Sequence, residues 1–211
     1  YAKGTERDVR DVRGRVARFL GIPMSRVRVR QTVTGGGFGG KEDYPDEPAM
    51  CAAALAMATG SPVSLVLPRS QDMQMSTKRH AMVIRHRLYA QADGRIRGVE
   101  IHVMVDAGAY AGLSTVVAER ANISSVGPYA IDNISVLTQV IYTTNLFGGP
   151  YRGFGAPQVA AAHEAQIDRL ARVLGRDPLE IRRINGVSAQ RPVFASGETL
   201  PASTERCIQT F

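Results

Sequence analysis

Apolar residues recur at helical spacing near the start of the chain, at Val9, Val12, Val16, Phe19 and Leu20. That spacing predicts an amphipathic helix over Glu6 to Leu20. Gly21 ends it, and Pro23 stands just beyond, where a helix cannot continue. The period then shortens. Val27 to Val33 alternates apolar and polar positions and reads as a strand. Pro48 to Thr59 is rich in Ala and Met, which predicts a buried helix closed by Gly60, and Val63 to Leu67 reads as a short strand.

Two longer strands follow, Ala81 to Ala90 and Ile96 to Val105. Ala92-Asp93-Gly94-Arg95 joins them with a hairpin signal. Ile134 to Tyr142 is a further strand. Gln158 to Leu174 returns to the helical period and stops at Gly175. Asp177 then offers a helix cap with Pro178 at the first helical position, so a short helix begins there. Helices and strands mix without regular βαβ alternation, and no repeat or low-complexity linker interrupts them. The fold class is α+β, with mixed sheets and packed helices.

Composition narrows the function classes. A chain of 211 residues forms one large domain or two small ones and can bury a core. Its formal charge of +7 is scattered among acids, with few aromatics. That reads as a basic rim facing an anionic cofactor or a partner subunit, and not as a nucleic-acid surface. No apolar run is long enough to span a membrane. Cys51 and Cys207 match no metal spacing. Cys51 lies in an apolar Ala-rich run and reads as a buried thiol in a reducing, cytoplasmic setting. His80, His86, His102 and His163 share no ligand spacing, and His86 and His102 lie in strands as structural residues. Met73, Met75 and Met82 read as packing residues. The ends, Tyr1-Ala2-Lys3 and Gln209-Thr210-Phe211, read as those of a piece of a longer polypeptide.

The chemistry concentrates in glycine loops. Thr34 to Asp43, TGGGFGGKED, holds five glycines around one phenylalanine. Gly35 to Lys41 fits the frame of a triphosphate loop, but Glu42 stands where a magnesium-binding hydroxyl is needed. Gly35, Gly37 and Gly40 fit a dinucleotide fingerprint, but Lys41 to Pro45 intervenes before any helix, and no acid ends the next strand to hold a ribose. A purely structural turn remains open. So does a cofactor wall, because consecutive glycines let backbone N–H groups approach a ligand closely. Phe38 would add an aromatic surface and Glu42 a proton-handling or hydrogen-bonding group. Gly148 to Gln158, GGPYRGFGAPQ, repeats the theme. Phe154 between two glycines is poorly placed for core packing and well placed to stack on a planar ring.

These two loops resemble signature loops of the molybdopterin-binding subunit of the xanthine dehydrogenase/aldehyde oxidase family. Thr77-Lys78-Arg79-His80, Asp106-Ala107-Gly108-Ala109-Tyr110 and Asp177 to Asn185 are similar to its phrasing as well. The resemblance covers nearly the whole chain. It implies the first part of the molybdenum-binding region, arranged as two intertwined α+β lobes, without the later part. It implies that Gly36, Gly37, Phe38 and Gly39 lie beside the molybdenum and its pterin, and that Arg152 approaches them through its backbone. Phe38 and Arg152 would be the residues nearest the metal. Phe154 would stack on the substrate, and Glu42 with Arg120 would grip a purine-type ring. Taken alone, Glu42 reads equally as a solvated loop acid and Arg120 as a helix-end charge. Where many relatives carry Gln, this chain has Lys3. The general-base glutamate belongs to the later part, so no catalytic residue is expected here. The implied cofactor is molybdopterin, in plain or cytosine dinucleotide form. The implied partners are an iron–sulfur (2Fe-2S) subunit or domain, an FAD subunit or domain and the remaining molybdopterin-binding chain. The implied reaction is hydroxylation of a heterocyclic substrate with oxygen from water; a catalytically incomplete scaffold and an aldehyde-oxidising relative stand as alternatives.

Overall fold

Along the chain run α1 (Glu6–Leu20), α2 (Asp46–Thr59), α3 (Arg69–Met75), β1 (Met82–Ala90), β2 (Ile96–Gly108), α4 (Ser114–Ser124), β3 (Asn133–Tyr142), α5 (Ala156–Leu174) and α6 (Pro178–Asn185). A 3-10 turn occupies Met24–Arg26. The computed structural model describes residues 6–30, 32, 33, 35–40, 42 and 45–187. Lys3 and Cys207 lie outside the described residues. The chain divides into two units: residues 1–80, 107–114 and 142–152 form the first, and residues 81–106, 115–141 and 153–211 the second.

In the second unit the alternating runs become a sheet of order β1-β2-β3. β1 pairs antiparallel with β2, from Met82 opposite Val105 to Tyr89 opposite Gly98, with an irregularity at Ala90. The hairpin turn forms as its sequence demands: Gly94 takes φ 90°, and the Asp93 carboxylate accepts the Arg95 N–H at 2.9 Å. Because side chains alternate along a strand, Val99, Ile101, Val103 and Val105 of β2 share one face. They cluster with Ala118 and Ala121 of α4, Val159, Ile167 and Ala171 of α5, and Ile181 of α6. The expected helices at α5 and α6 are present, and Asp177 caps α6 by accepting the Leu179 N–H at 3.0 Å.

One buried polar side chain joins the last helix to the hairpin. Asn185 has no solvent exposure. Its oxygen accepts the Ile96 N–H at 2.8 Å, and its nitrogen donates to the Gly94 and Ile181 carbonyls at 2.9 Å each. On the same helix Arg182 donates to Glu164 at 2.7 and 2.9 Å and pairs with Asp168 at 2.8 Å. The Asp177–Asn185 motif is therefore scaffold: a cap, a buried Ile181, an ion-pair hub and a stitch.

In the first unit α1 packs on α2. Val12, Val16 and Ala17 are buried, and Asp46, 3% exposed, pairs with Arg15 at 2.8 Å. Several expectations fail here. Val27–Val33 and Val63–Leu67 form no strand among the described residues, and Val66 is 83% exposed. Strand composition makes a strand only where an edge is available to complete the ladder. α2 forms as a helix, but it is not buried; Leu55, Met57 and Cys51 are exposed. Met73 and Met75 are exposed too, whereas Met82 packs on the core. The hydrophobic pattern does not announce α3 or α4. α3 is mostly polar, and in α4 Val116, Val117 and Ala118 are consecutive instead of helically spaced.

Candidate functional site

The two glycine loops meet within the first unit. Gly39 and Tyr151 form an isolated antiparallel bridge, and the Gly40 N–H donates to the Pro150 carbonyl. The approach is so close that a Cβ on Gly39 would lie 2.6 Å from the Pro150 oxygen and 2.7 Å from the Tyr151 Cα. Gly39 also has φ 78°, which side-chain-bearing residues rarely adopt. Phe38 projects from this junction and is 58% exposed. The Arg152 guanidinium carbon sits 5.3 Å from the centre of its ring, within cation–π range.

A third segment, Thr77–His80, fastens both loops. Thr77 Oγ1 donates to the Gly40 carbonyl at 3.0 Å. The Gly149 N–H donates to the Lys78 carbonyl at 2.9 Å, and Lys78 bridges to Gly148. Arg79 donates to the Arg152 carbonyl at 2.9 Å, and its guanidinium carbon lies 4.7 Å from the centre of the Tyr151 ring. His80 is buried, 2.8 Å from Ser114 Oγ. Side chains on Gly148 and Gly149 would collide with His80 and Thr77 respectively. Those glycines are thus explained by packing inside the chain.

Gly35 and Gly37 are not. Neither has a left-handed φ, and a Cβ on either would meet nothing within 4 Å. Neither the backbone conformation nor the described neighbours require glycine there. The cleared surface lies on the loop that carries Phe38. The nucleotide readings lose further ground: α2 begins with Asp46 and Glu47, so carboxylates already occupy the end of that helix where a phosphate would bind.

Phe154 lies in the second unit. It is the one non-glycine residue with positive φ among the described residues, at 48°. Its neighbours Gly153 and Gly155 have φ 94° and 86°. Such strain costs about 1 kcal/mol or more and tends to persist at functional positions. A Cβ on Gly155 would press on the Val117 carbonyl at 2.7 Å and Ala121 at 3.0 Å, so this turn rests on α4, the helix that carries Arg120. Arg120 is exposed. The structure thus groups Phe38, Gly39 and Arg152 in one unit, and Phe154 with α4 in the other. Glu42, half-buried, belongs to the first unit and Arg120 to the second.

Sequence reasoning marks Thr77–His80 as a phrase and gives it no role. The available signal is the pair of adjacent glycines at 148 and 149, which imply a close neighbour. The second unit also holds two histidines, His163 buried and His86 half-buried. Burial holds His86 down to about 4, and the nearby His163 adds to the effect. Burial lowers His163 as well, against the pull of Glu164. The described residues contain no group of three or more metal-ligating side chains.

Comparison with known proteins accounts for this arrangement. Residues 5–186 match the family model described as the molybdopterin cofactor-binding domain. The chain is 41% identical over 194 residues to the nicotinate dehydrogenase large molybdopterin subunit of Eubacterium barkeri, covering 90% of this chain and 44% of that protein. It is 37% identical over 170 residues to the xanthine dehydrogenase of Oryza sativa, covering 81% and 12%. The aldehyde oxidoreductase of Desulfovibrio gigas superposes with a TM-score of 0.81 at 30% identity, over 92% of this chain and 21% of that one. The chain therefore spans less than half the length of these relatives. A match over residues 5–186 with identities of this order shows that the chain belongs to the molybdopterin cofactor-binding domain family of the molybdenum hydroxylases.

Proposed function

We propose that this chain is the first part of the cofactor-binding region of an enzyme that hydroxylates an N-heterocycle, of purine or nicotinate type, with oxygen from water. One observation carries the cofactor side of this reading: Gly35 and Gly37 clear space that nothing described in the chain fills. The residues fit a bulky anionic pterin cofactor, with N–H-bearing glycines beside an exposed ring. When bound, the molybdenum cofactor would supply oxygen transfer and two-electron redox chemistry.

The chain's own residues would position and shield. Gly36, Gly37 and Gly39 would present main chain to the cofactor, Phe38 would wall it, and Arg152 would hold that wall in place. Phe154 would stack on the substrate ring, its strained backbone setting the ring's direction. Arg120 and Glu42 would contribute the polar groups that select a heterocycle and meet charge developing on it. The general-base glutamate would come from the later part of the region. Electrons would leave through iron–sulfur and FAD subunits or domains. The free Cys51 thiol fits a reducing, cytoplasmic setting, and no helix among the described residues is long and apolar enough to cross a membrane.

The names of the nicotinate and xanthine dehydrogenase relatives favour the heterocycle. The likeness to the Desulfovibrio gigas enzyme favours a second reading, aldehyde oxidation. Arg120→Ala separates them in the native assembly. On the heterocycle reading, kcat/KM for a purine or nicotinate falls about a hundredfold, the size of one lost charged hydrogen bond, while a small aldehyde loses less than about threefold. Equal losses on both substrates would remove Arg120 from the pocket.

A further inference from the structure

We infer that Arg79 is a positioning residue for the second glycine loop. It fixes the peptide between Arg152 and Gly153, so that the Gly153 N–H is presented at a set angle. Arg79 grips the loop at two points. Its guanidinium donates to the Arg152 carbonyl at 2.9 Å and covers the Tyr151 ring at 4.7 Å. A carbonyl alone leaves a peptide free to tilt about its hydrogen bond, and a stacked neighbouring ring removes that freedom.

The consequence follows from covalent geometry. The Arg152–Gly153 peptide is trans, so its N–H points opposite to the carbonyl that Arg79 holds. No hydrogen bond among the described residues takes the Gly153 N–H. It opens the turn Gly153-Phe154-Gly155, whose three residues all have positive φ. Arg152 in turn lies over Phe38. Arg79 thereby sets the backbone from which Arg152 reaches Phe38. The segment that carries Arg79 is anchored independently on either side, by Thr77 on Gly40 and by His80 beside Ser114. Losing the Arg79 head group should loosen the second loop without releasing the first.

This inference rests on the cofactor reading only for its functional consequence, and the test separates the two. Arg79→Met and Arg79→Lys are made in the native assembly. Hydrogen exchange over residues 148–155 is followed first. It should quicken about tenfold in Arg79→Met and recover most of its protection in Arg79→Lys, which keeps a cationic donor. Exchange over residues 35–40 should change little. Next come molybdenum per chain and the paramagnetic resonance spectrum of the reduced centre. The Met variant should show an altered spectrum, and the Lys variant one close to wild type. Unchanged exchange in Arg79→Met overturns the positioning role, whatever the metal content. Quickened exchange with a wild-type spectrum overturns the link to the cofactor. A wild-type assembly without molybdenum overturns the cofactor reading and leaves the exchange result to decide the role of Arg79.

Discussion

In the second unit Ile96, Val103, Val105, Val159 and Ile181 are all at most 1% exposed, packed in one cluster between sheet and helices. In the first unit the buried apolar side chains of the helix pair are Val12, Val16 and Ala17, and the loops are joined by main-chain hydrogen bonds and by glycines with no room for a side chain. The first pattern suits a scaffold, whose stability scales with apolar area removed from water. The second suits a surface that must come close to something else. Side chains there would occupy the space a ligand needs, so N–H groups and tight backbone contacts replace them. Asp177–Asn185 belongs to the packed unit and Gly35–Gly40 to the first, while the second glycine loop is divided, with Gly148–Arg152 in the first unit and Phe154 in the second.

Substitutions can sharpen this contrast, and the largest effect belongs to the packed unit. Asn185→Leu leaves the buried Ile96 N–H and Gly94 carbonyl without their partner. It should cost about 3 kcal/mol, read as a lower urea midpoint for sheet unfolding. A loss below 1 kcal/mol would mean that the stitch is dispensable.

Next comes a pair of glycines on one loop. Gly39→Ala meets both a left-handed φ and the Pro150–Tyr151 backbone. It should destabilise the first unit by about 2 kcal/mol. Gly37→Ala meets neither obstacle. Stability should stay within about 0.5 kcal/mol while molybdenum content falls, measured by thermal unfolding and elemental analysis on the same preparation. If Gly37→Ala unfolds the loop, its glycine is structural and the cleared surface loses its meaning.

Acid should act on the packed unit. His86 has a buried Nδ1 with no hydrogen-bond partner among the described residues, and a pKa lowered to about 4. A lowered folded-state pKa means that the unfolded chain binds the proton first. Its contribution is full above the ordinary value of 6.5, declines as pH falls from there, and is gone near 4. His163, lowered in the same direction, adds to the slope. His86→Gln should flatten the pH dependence of stability over that range by on the order of 1 kcal/mol, read from urea midpoints at successive pH values. An unchanged slope would place the acid sensitivity elsewhere. The smallest effect is expected at the rim of the sheet. Arg87 and Glu100 face solvent 3.5 Å apart, so Glu100→Gln should move stability by less than about 0.5 kcal/mol in thermal unfolding.

The sequence makes the second unit far more legible than the first. β1, β2, β3, α5 and α6 satisfy their periodicity locally: alternation finds a neighbouring strand, and the capping acid finds its own helix. Val63–Leu67 carries the same strand composition and forms no strand, because pairing depends on an edge that composition does not contain. α2 reads as buried because its residues are apolar, yet Leu55 and Met57 find no cover among the described residues. Of the candidate site, the glycines and phenylalanines stand out in sequence because such residues are costly without a reason. The fastening by Thr77, Arg79 and His80 does not, since each bond spans dozens of residues and uses side chains that are common on any surface. Glu42 and Arg120 are paired by resemblance alone, and no periodicity links them.

The most direct measurement is molybdenum and released pterin per chain in the native assembly purified through this chain. The account predicts near-stoichiometric amounts of both. An intact, folded assembly holding neither would contradict it, leaving the family's fold without its cofactor.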